Sequence, residues 1–300
     1  MPDMNNSIRS VLVASDFSID AANAASRAAL LAGEHGASLK LLHVVREDLL
    51  SELRGRLGVQ SDTTERLVDG AKLDLDALAA QLRPAARAAP ECILRTGNVL
   101  DEILAAADHA DVLVLGAHGL HPTQDLLIGT TAERLLRKSR RPMLVVRKEA
   151  RATYQRVFVA VDFSVHSLAA FRFALQVAPS AHVHLFHAYT CPYEGKLRQA
   201  NLSDETIGQL RTEYRDQALA NMQNMLEKTA APLERTSSAV AHGNARFAAS
   251  TCAAEWGADL IVLGKHGYSL IGELFLGGVT RHTVSRAKCD VAVVPDFKRL

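Results

Sequence analysis

Little in this chain of 300 residues is extreme, and each thing it lacks narrows what it can be. Lys+Arg number 34 against Asp+Glu 33, a net charge of +1, so no strong basic or acidic field is present. That balance argues against a sleeve for nucleic acid or a protein held on a charged membrane surface. Aromatics are 5% of residues, with a single tryptophan, Trp256. The four cysteines (Cys92, Cys191, Cys252, Cys289) are far apart and form no CxxC pair, so buried free thiols in a reducing cytoplasm are expected. No apolar run approaches the roughly 18 residues that a membrane helix needs. No charged-then-apolar leader precedes the first strand-like run at Val11, so a cytoplasmic location is expected. What the chain does have is 48% hydrophobic residues, enough for the cores of two domains of ordinary size.

The chain states one pattern twice. Val11-Leu-Val-Ala-Ser-Asp16-Phe-Ser18 returns as Val157-Phe-Val-Ala-Val-Asp162-Phe-Ser164. Leu41-Leu-His43-Val44 returns as Leu185-Phe-His187-Ala188, and Thr96-Gly97-Asn98 as His242-Gly243-Asn244. Leu115-Gly116-Ala-His118-Gly119 returns as Leu263-Gly264-Lys-His266-Gly267, and the offset drifts only from 144 to 148 residues. A period this long is no solenoid repeat. It marks two domains of one fold, over residues 1–148 and 154–300, joined by the charged, aperiodic segment Arg147–Gln155.

Within each copy, strand-like and helix-like runs alternate. Ser10–Ser15, Ser38–Val44, Glu91–Arg95, Val112–Gly116 and Met143–Val146 read as strands in copy one. Arg156–Val161, His182–Ala188, Arg235–Ala241, Leu260–Gly264 and Val291–Val294 read so in copy two. Runs apolar at every position, such as Val112–Leu115 and Leu260–Leu263, suit strands covered on both faces. The order predicts right-handed crossovers and a parallel sheet. Ser18, Ser164, Asn98 and Asn244 are expected helix N-caps, and Gly36 a C-cap. Two polar excursions interrupt the pattern, Arg46–Thr64 and Tyr189–Asn201, the second leading into a helix to about Ala231.

After the fourth strand comes Gly116-Ala-His-Gly119, nine residues, then Gly129-Thr130. Copy two has Gly264-Lys-His-Gly267, nine residues, then Gly277-Gly278. Glycines directly after a strand let a ligand approach the main chain. The second cluster begins a helix, with its unsatisfied N–H groups and positive dipole end. Together they make a concavity suited to phosphate. No Gly-Lys-Ser/Thr follows, and the glycines follow the fourth strand rather than the first, so neither a P-loop nor a dinucleotide fingerprint is present. With strand order 3-2-1-4-5, the order reverses between strands one and four, where ligands bind outside the carboxyl ends. Asp16 and Gly116 end those two strands, as do Asp162 and Gly264.

These residues, with Ala132-Glu-Arg-Leu135 and Pro142-Met-Leu-Val-Val146, resemble a universal stress protein domain, and copy two resembles it equally along its length. The resemblance implies two doubly wound α/β domains, each a five-stranded parallel sheet, packed as a pseudo-dimer through the last strands. It implies ATP, carried with magnesium, as the ligand. Ala14, Ser15 and Asp16 would border base and ribose, Val44 would contact adenine, and Gly116, His118, Gly119, Gly129 and Thr130 would line ribose and phosphates. The matching positions in copy two are Ala160, Val161, Asp162, Ala188, Gly264, His266, Gly267, Gly277 and Gly278. There Thr130 becomes Gly278, losing one hydroxyl, and Val44 becomes Ala188, so both copies are expected to bind and copy one more tightly. A stress-response sensor or regulator follows, with an adenine nucleotide and an unnamed protein as partners, no nucleic acid, no membrane, and a homodimer as a further possibility.

Other readings compete. Thr130 with Glu133 is also a capping box. Asp16 and Asp162 could serve only the next helix's N-terminus. His43 and His187 read as core histidines. The pairs His118/His121 and His182/His184 have metal-like spacing but no third ligand, so no metal is expected. Arg137, Lys138, Arg140 and Arg141 suit a helix C-terminus. Lys265 lies within reach of a phosphate, though copy one has Ala117 there. Cys191-Pro-Tyr-Glu-Gly-Lys196 is a lid or a packing loop. No base, metal-carboxylate cluster or arginine is arranged for phosphoryl transfer, so no catalytic residue is expected and ATP hydrolysis would be feeble. A nucleotide-free interaction module, or a pocket for a lipid or another ligand, are the rival functions.

Overall fold

The computed structural model describes residues 8–48, 51–52, 61–120, 128–267 and 276–295; His121 and parts of both polar excursions lie outside them. Copy one runs β1 (Ser10–Ala14), α1 (Ile19–His35), β2 (Ser38–Arg46), α2 (Ser61–Ala86), β3 (Glu91–Gly97), α3 (Val99–Ala107), β4 (Val112–Gly116), α4 (Thr130–Lys138) and β5 (Met143–Val146). Copy two runs β6 (Arg156–Ala160), α5 (Val165–Val177), β7 (His182–Tyr189), α6 (Glu194–Gln199), α7 (Asp204–Thr229), β8 (Thr236–His242), α8 (Ala245–Trp256), β9 (Leu260–Gly264), α9 (Gly278–Arg286) and β10 (Asp290–Val294).

One compact unit runs to Thr153 and also takes in Cys289–Pro295. Its sheet has the order β3-β2-β1-β4-β5-β10. The first five strands are parallel, with Val11 opposite Leu39 on one side and Val112 on the other. The doubly wound order 3-2-1-4-5 is as the family resemblance implies. β10, from copy two, lies antiparallel on β5, with Val291 opposite Val145 and Val293 opposite Met143. The last strands of the two copies therefore meet, and β5 does not end the sheet. An edge strand of four apolar residues would otherwise offer open hydrogen-bonding groups.

Two interactions hold β10 in this unit. Asp290 Oδ2 accepts from Arg27 Nε at 3.2 Å, with both side chains buried. Its Oδ1 accepts from the Arg147 backbone N–H at 2.9 Å. Arg27 Nη1 also donates to the Ala152 carbonyl at 2.6 Å, so part of the segment read as a linker is anchored. Burial, the larger influence, pulls the Arg147 guanidinium below its ordinary range, against the nearby Cys289, Asp20 and Asp290. The core is the strand interior: Val11, Leu12, Val13, Leu41, Leu42, Val112, Leu113, Val114 and Leu144 are fully buried. α1 covers it with a face of Ala24, Ala25, Ala28, Ala29 and Ala32, whose small side chains let the helix lie close.

The second unit runs from Tyr154, a fully buried side chain, and includes Leu276–Lys288. Its strands have the order β9-β6-β7-β8 and are parallel. Val157, Phe158, Val159, Val183, Leu185 and Val262 form its buried layer. The pair His182 and His184, whose spacing is metal-like, meets a serine here. His182 Nε2 and His184 Nδ1 both reach Ser237 Oγ, at 2.9 and 2.8 Å, and His184 stacks on Trp256. Arg156 lies 4.4 Å over the same indole. Among the described residues no group of three His, Cys, Asp or Glu could hold a metal.

In the Cys191–Lys196 segment Cys191 is buried, and Glu194, at the start of α6, pairs with Arg211 on α7, and with Arg198 at 3.4 Å and His242 at 3.3 Å. Cys191 and Cys289 are buried as expected, but Cys92 and Cys252 are only half-buried; all four are free. No helix of the described residues is long and apolar enough to cross a membrane.

Candidate functional site

The site in each copy begins with a turn built the same way twice. Ser18 Oγ accepts from the Ala21 N–H at 3.2 Å, and Ser164 Oγ from the Ser167 N–H at 3.2 Å, so each serine caps its helix as expected. To make that entry, Phe17 and Phe163 adopt positive φ, 63° and 65°. Such a backbone is costly for a bulky residue and needs support. The support is a ring: Phe17 stacks on His43 with centroids 4.4 Å apart, and Phe163 lies on His187 at 4.3 Å. Each histidine is in turn fixed by the strand end. His43 Nδ1 donates to the Ser15 carbonyl at 2.8 Å, and His187 Nδ1 to the Val161 carbonyl at 2.7 Å. A carbonyl can only accept, so Nδ1 carries the proton in both. The core-histidine reading is therefore right in kind, and these rings also set the path of the chain around Asp16 and Asp162.

Asp16 and Asp162 point their carboxylates at the glycine loops. Asp16 Oδ1 accepts from the Ser18 N–H at 3.1 Å, and its Oδ2 from the Leu120 N–H at 3.0 Å. A Cβ placed on Gly119 would lie 2.6 Å from Asp16 Oδ2, and one on Gly267 would lie 2.7 Å from Asp162 Oδ2. A side chain at either position would make the aspartate shift. Gly116 and Gly264 face the first turn of α1 and of α5: a Cβ there would meet the Asp20 backbone at 2.7 Å or the His166 backbone at 3.0 Å. The loops close alike, with the Gly129 N–H donating to the Ala117 carbonyl at 2.8 Å and the Gly277 N–H to the Lys265 carbonyl at 3.0 Å. Thus Asp16, Gly116, Gly119 and Gly129 are brought together at the carboxyl ends of β1 and β4, as are Asp162, Gly264, Gly267 and Gly277 beside β6 and β9.

The remaining expected residues fall around this centre. Ala14 and Ser15 are buried at the end of β1, and Ser15 Oγ accepts from the Phe17 N–H at 3.1 Å. Ala160 and Val161 take the same places in copy two, without the hydroxyl. Val44 and Ala188 are half-buried near the ends of β2 and β7. His118 is committed to the protein: its backbone N–H and its Nδ1 both reach Asp20 Oδ2, at 3.0 and 2.9 Å. Asp20 was not singled out in the sequence; its equivalent in copy two is His166, which lies edge-on to His266 with centroids 5.8 Å apart.

Apart from the short α6, which follows Tyr193 without a side-chain cap, the described helix starts separate the ligand end from the rest. α1, α3, α5, α7 and α8 are each capped by a Ser or Asn side chain, Ser18, Asn98, Ser164, Ser203 and Asn244. α4 and α9 are not: each follows a glycine N-cap, Gly129 or Gly277, with no side-chain cap hydrogen bond. Thr130 is the first residue of α4 and exposed, and Glu133 pairs with Arg137 at 2.7 Å. The capping box read from Thr130 and Glu133 is therefore not formed. Glycine in place of a Ser, Thr, Asn or Asp cap costs only about a few tenths of a kcal/mol, and at the same place in both copies it leaves the first N–H groups of the helix without a side-chain acceptor.

The match to known families agrees with this geometry. The model of the universal stress protein family matches residues 7–147 and again 153–295. The chain belongs to the universal stress protein family. Among curated relatives, this universal stress protein is similar to Universal stress protein MJ0577 of Methanocaldococcus jannaschii, 27% identical over 124 residues, covering 36% of this chain and 76% of the relative. It also matches Universal stress protein Sll1388 of Synechocystis, 40% identical over 42 residues, covering 14% of this chain and 27% of the relative. Among solved structures, a universal stress protein from Archaeoglobus fulgidus superposes with a TM-score of 0.63 at 18% identity, covering 95% of this chain and 96% of the other. A putative universal stress protein from Pseudomonas aeruginosa gives 0.60 at 16%, covering 96% and 93%. At such identities the likeness of this universal stress protein to the solved structures is one of fold.

Besides Asp20, a second residue escaped sequence reasoning. Arg246, in the first turn of α8, lays its guanidinium across Gly278: a Cβ there would lie 2.7 Å from Nη2 and 3.0 Å from Nε. The equivalent residue in copy one is Leu100. Aligning the copies shows this Leu-to-Arg change, but only the packing of α8 beside α9 gives it meaning.

Proposed function

We propose that each copy binds an adenine nucleotide, ATP with its magnesium, at the carboxyl end of its parallel strands. The bound state would make the chain a cytoplasmic stress-response sensor or regulator. The observation that carries this reading is the pair of helix starts without a side-chain cap facing a glycine loop packed against Asp16, or Asp162. Phosphate oxygens suit such N–H groups and the positive end of the helix. The carboxylate at the strand end lies at the fold's switch point, where a ribose hydroxyl would be accepted. Val44 and Ala188 offer small apolar surfaces for a base. Both oxygens of Asp16 accept backbone N–H groups, which makes it a positioning group and not a base for ATP hydrolysis.

The test is calorimetric titration of nucleotide-stripped protein with Mg-ATP, in the parent and in Gly129→Glu and Gly277→Glu. Both glycines have φ values that any residue adopts, −64° and −54°, so the substitutions place a carboxylate at the phosphate end without backbone strain. Two sites per chain in the parent and one in each variant are expected. Absence of saturable heat in the parent, confirmed by equilibrium dialysis, would overturn the reading.

A further inference from the structure

The two copies share a backbone and differ in charge at the ligand end. Copy one carries Asp20 against the glycine loop, Leu100 in the first turn of α3, Ala117 in the loop and Glu133 in the first turn of α4. Copy two carries His166, Arg246, Lys265 and Arg281 at those positions. The one change in the opposite sense is Arg134, which becomes His282. The first turn of α4 holds an acidic residue and that of α9 holds none. Arg246 is exposed, lies across Gly278, and has no carboxylate in ion-pair contact among the described residues. A guanidinium at the positive end of an uncapped helix raises the energy of the protein by itself. The arrangement becomes favourable when a multiply charged anion sits against both, since a guanidinium can grip phosphate with two parallel hydrogen bonds.

We infer that copy two is built for the more highly charged nucleotides, adenine di- and triphosphates, with Arg246 standing in for the hydroxyl that Thr130 supplies in copy one. This rests on the nucleotide reading above. Copy one, with an uncharged hydroxyl and two carboxylates nearby, discriminates weakly by phosphate number. The loss of a hydroxyl at Gly278 is thus not a simple weakening. It leaves open the space that the guanidinium occupies, since a Cβ at Gly278 would make the guanidinium shift.

The experiment uses the full chain with one copy closed: Gly129→Glu leaves copy two, and Gly277→Glu leaves copy one. AMP, ADP and ATP are titrated by calorimetry in magnesium-free buffer at two salt concentrations. Copy two is expected to gain affinity from AMP to ATP by about 100-fold, and copy one by about tenfold or less. Arg246→Leu in the copy-two chain should remove at least about tenfold of the ATP affinity, leave AMP within about threefold, and reduce the salt dependence. Arg246→Lys should restore part of it. The inference fails if Arg246→Leu leaves the ATP-to-AMP ratio of copy two unchanged, or if copy one discriminates as steeply. Failure of all three nucleotides, and of Mg-ATP, to bind the parent would instead overturn the nucleotide reading itself.

Discussion

The Asp16 carboxylate accepts the backbone N–H of Leu120 at 3.0 Å across 104 residues of sequence, and so fastens the loop after β4 to the turn after β1. Gly119 is the neighbour that makes this possible, since a Cβ there would stand 2.6 Å from the same oxygen. Gly119→Ala should displace Asp16, lower nucleotide affinity of copy one by at least about tenfold and cost about 1–3 kcal/mol of stability. Titration in the Gly277→Glu chain and urea unfolding measure the two effects. Unchanged affinity would show that Asp16 does not shape the site.

Asp20 takes two hydrogen bonds from His118 on one oxygen, a device copy two lacks. Asp20→Ala should loosen the loop of copy one only, at about 1–3 kcal/mol for the N–H group left unsatisfied. Hydrogen exchange at the His118 amide should quicken, while the loop of copy two keeps its protection. Equal changes in both loops would contradict this account.

The buried pair Arg27 and Asp290 predicts an asymmetry between single and double substitution. Asp290→Ala strands the guanidinium and should cost about 3–5 kcal/mol, whereas Arg27→Met with Asp290→Leu should cost less than that single change. Urea denaturation of the three chains decides it. The Arg147 N–H also loses its acceptor in both variants, so the double replacement is not expected to be neutral.

Acidification should destabilise this protein through His184 and His187. Burial, the largest influence on each, lowers both imidazoles below the usual histidine range; nearby His182 and Arg156 add to this for His184. For His187 the Val161 carbonyl and Asp162 oppose it. The folded state therefore binds the proton less readily than the unfolded chain. Stability is complete above the ordinary histidine pKa of about 6.5 and falls as pH drops through that value toward the lowered ones. Unfolding free energies between pH 8 and about 5 should decline on the acid side, and His187→Asn should decline less. A flat profile in the parent would refute this.

Much of this could be read along the chain. Apolar runs marked the strands because burial on both faces leaves no place for polar residues, and Val112–Gly116 and Met143–Val146 have the bounds expected. Ser18, Asn98, Ser164 and Asn244 cap helices as expected, because a cap is a contact between residues two or three positions apart. Thr130 failed for the same local reason: its spacing from Glu133 fits a capping box, but Glu133 is taken by Arg137 one turn further on.

By itself, the sequence determined the duplication, the helix ends and the glycines that mark the two candidate sites. Each of these follows from short-range backbone preference or from the periodicity of burial. Tertiary structure alone decided that His43 and His187 brace the strained turns, that Asp20 holds His118, that Asp290 on β10 accepts the Arg147 N–H, and that Arg246 covers Gly278. Those contacts join segments some 26 to 143 residues apart. Only when the sheet and helices have packed do such residues become neighbours, and no pattern along the chain encodes that distance.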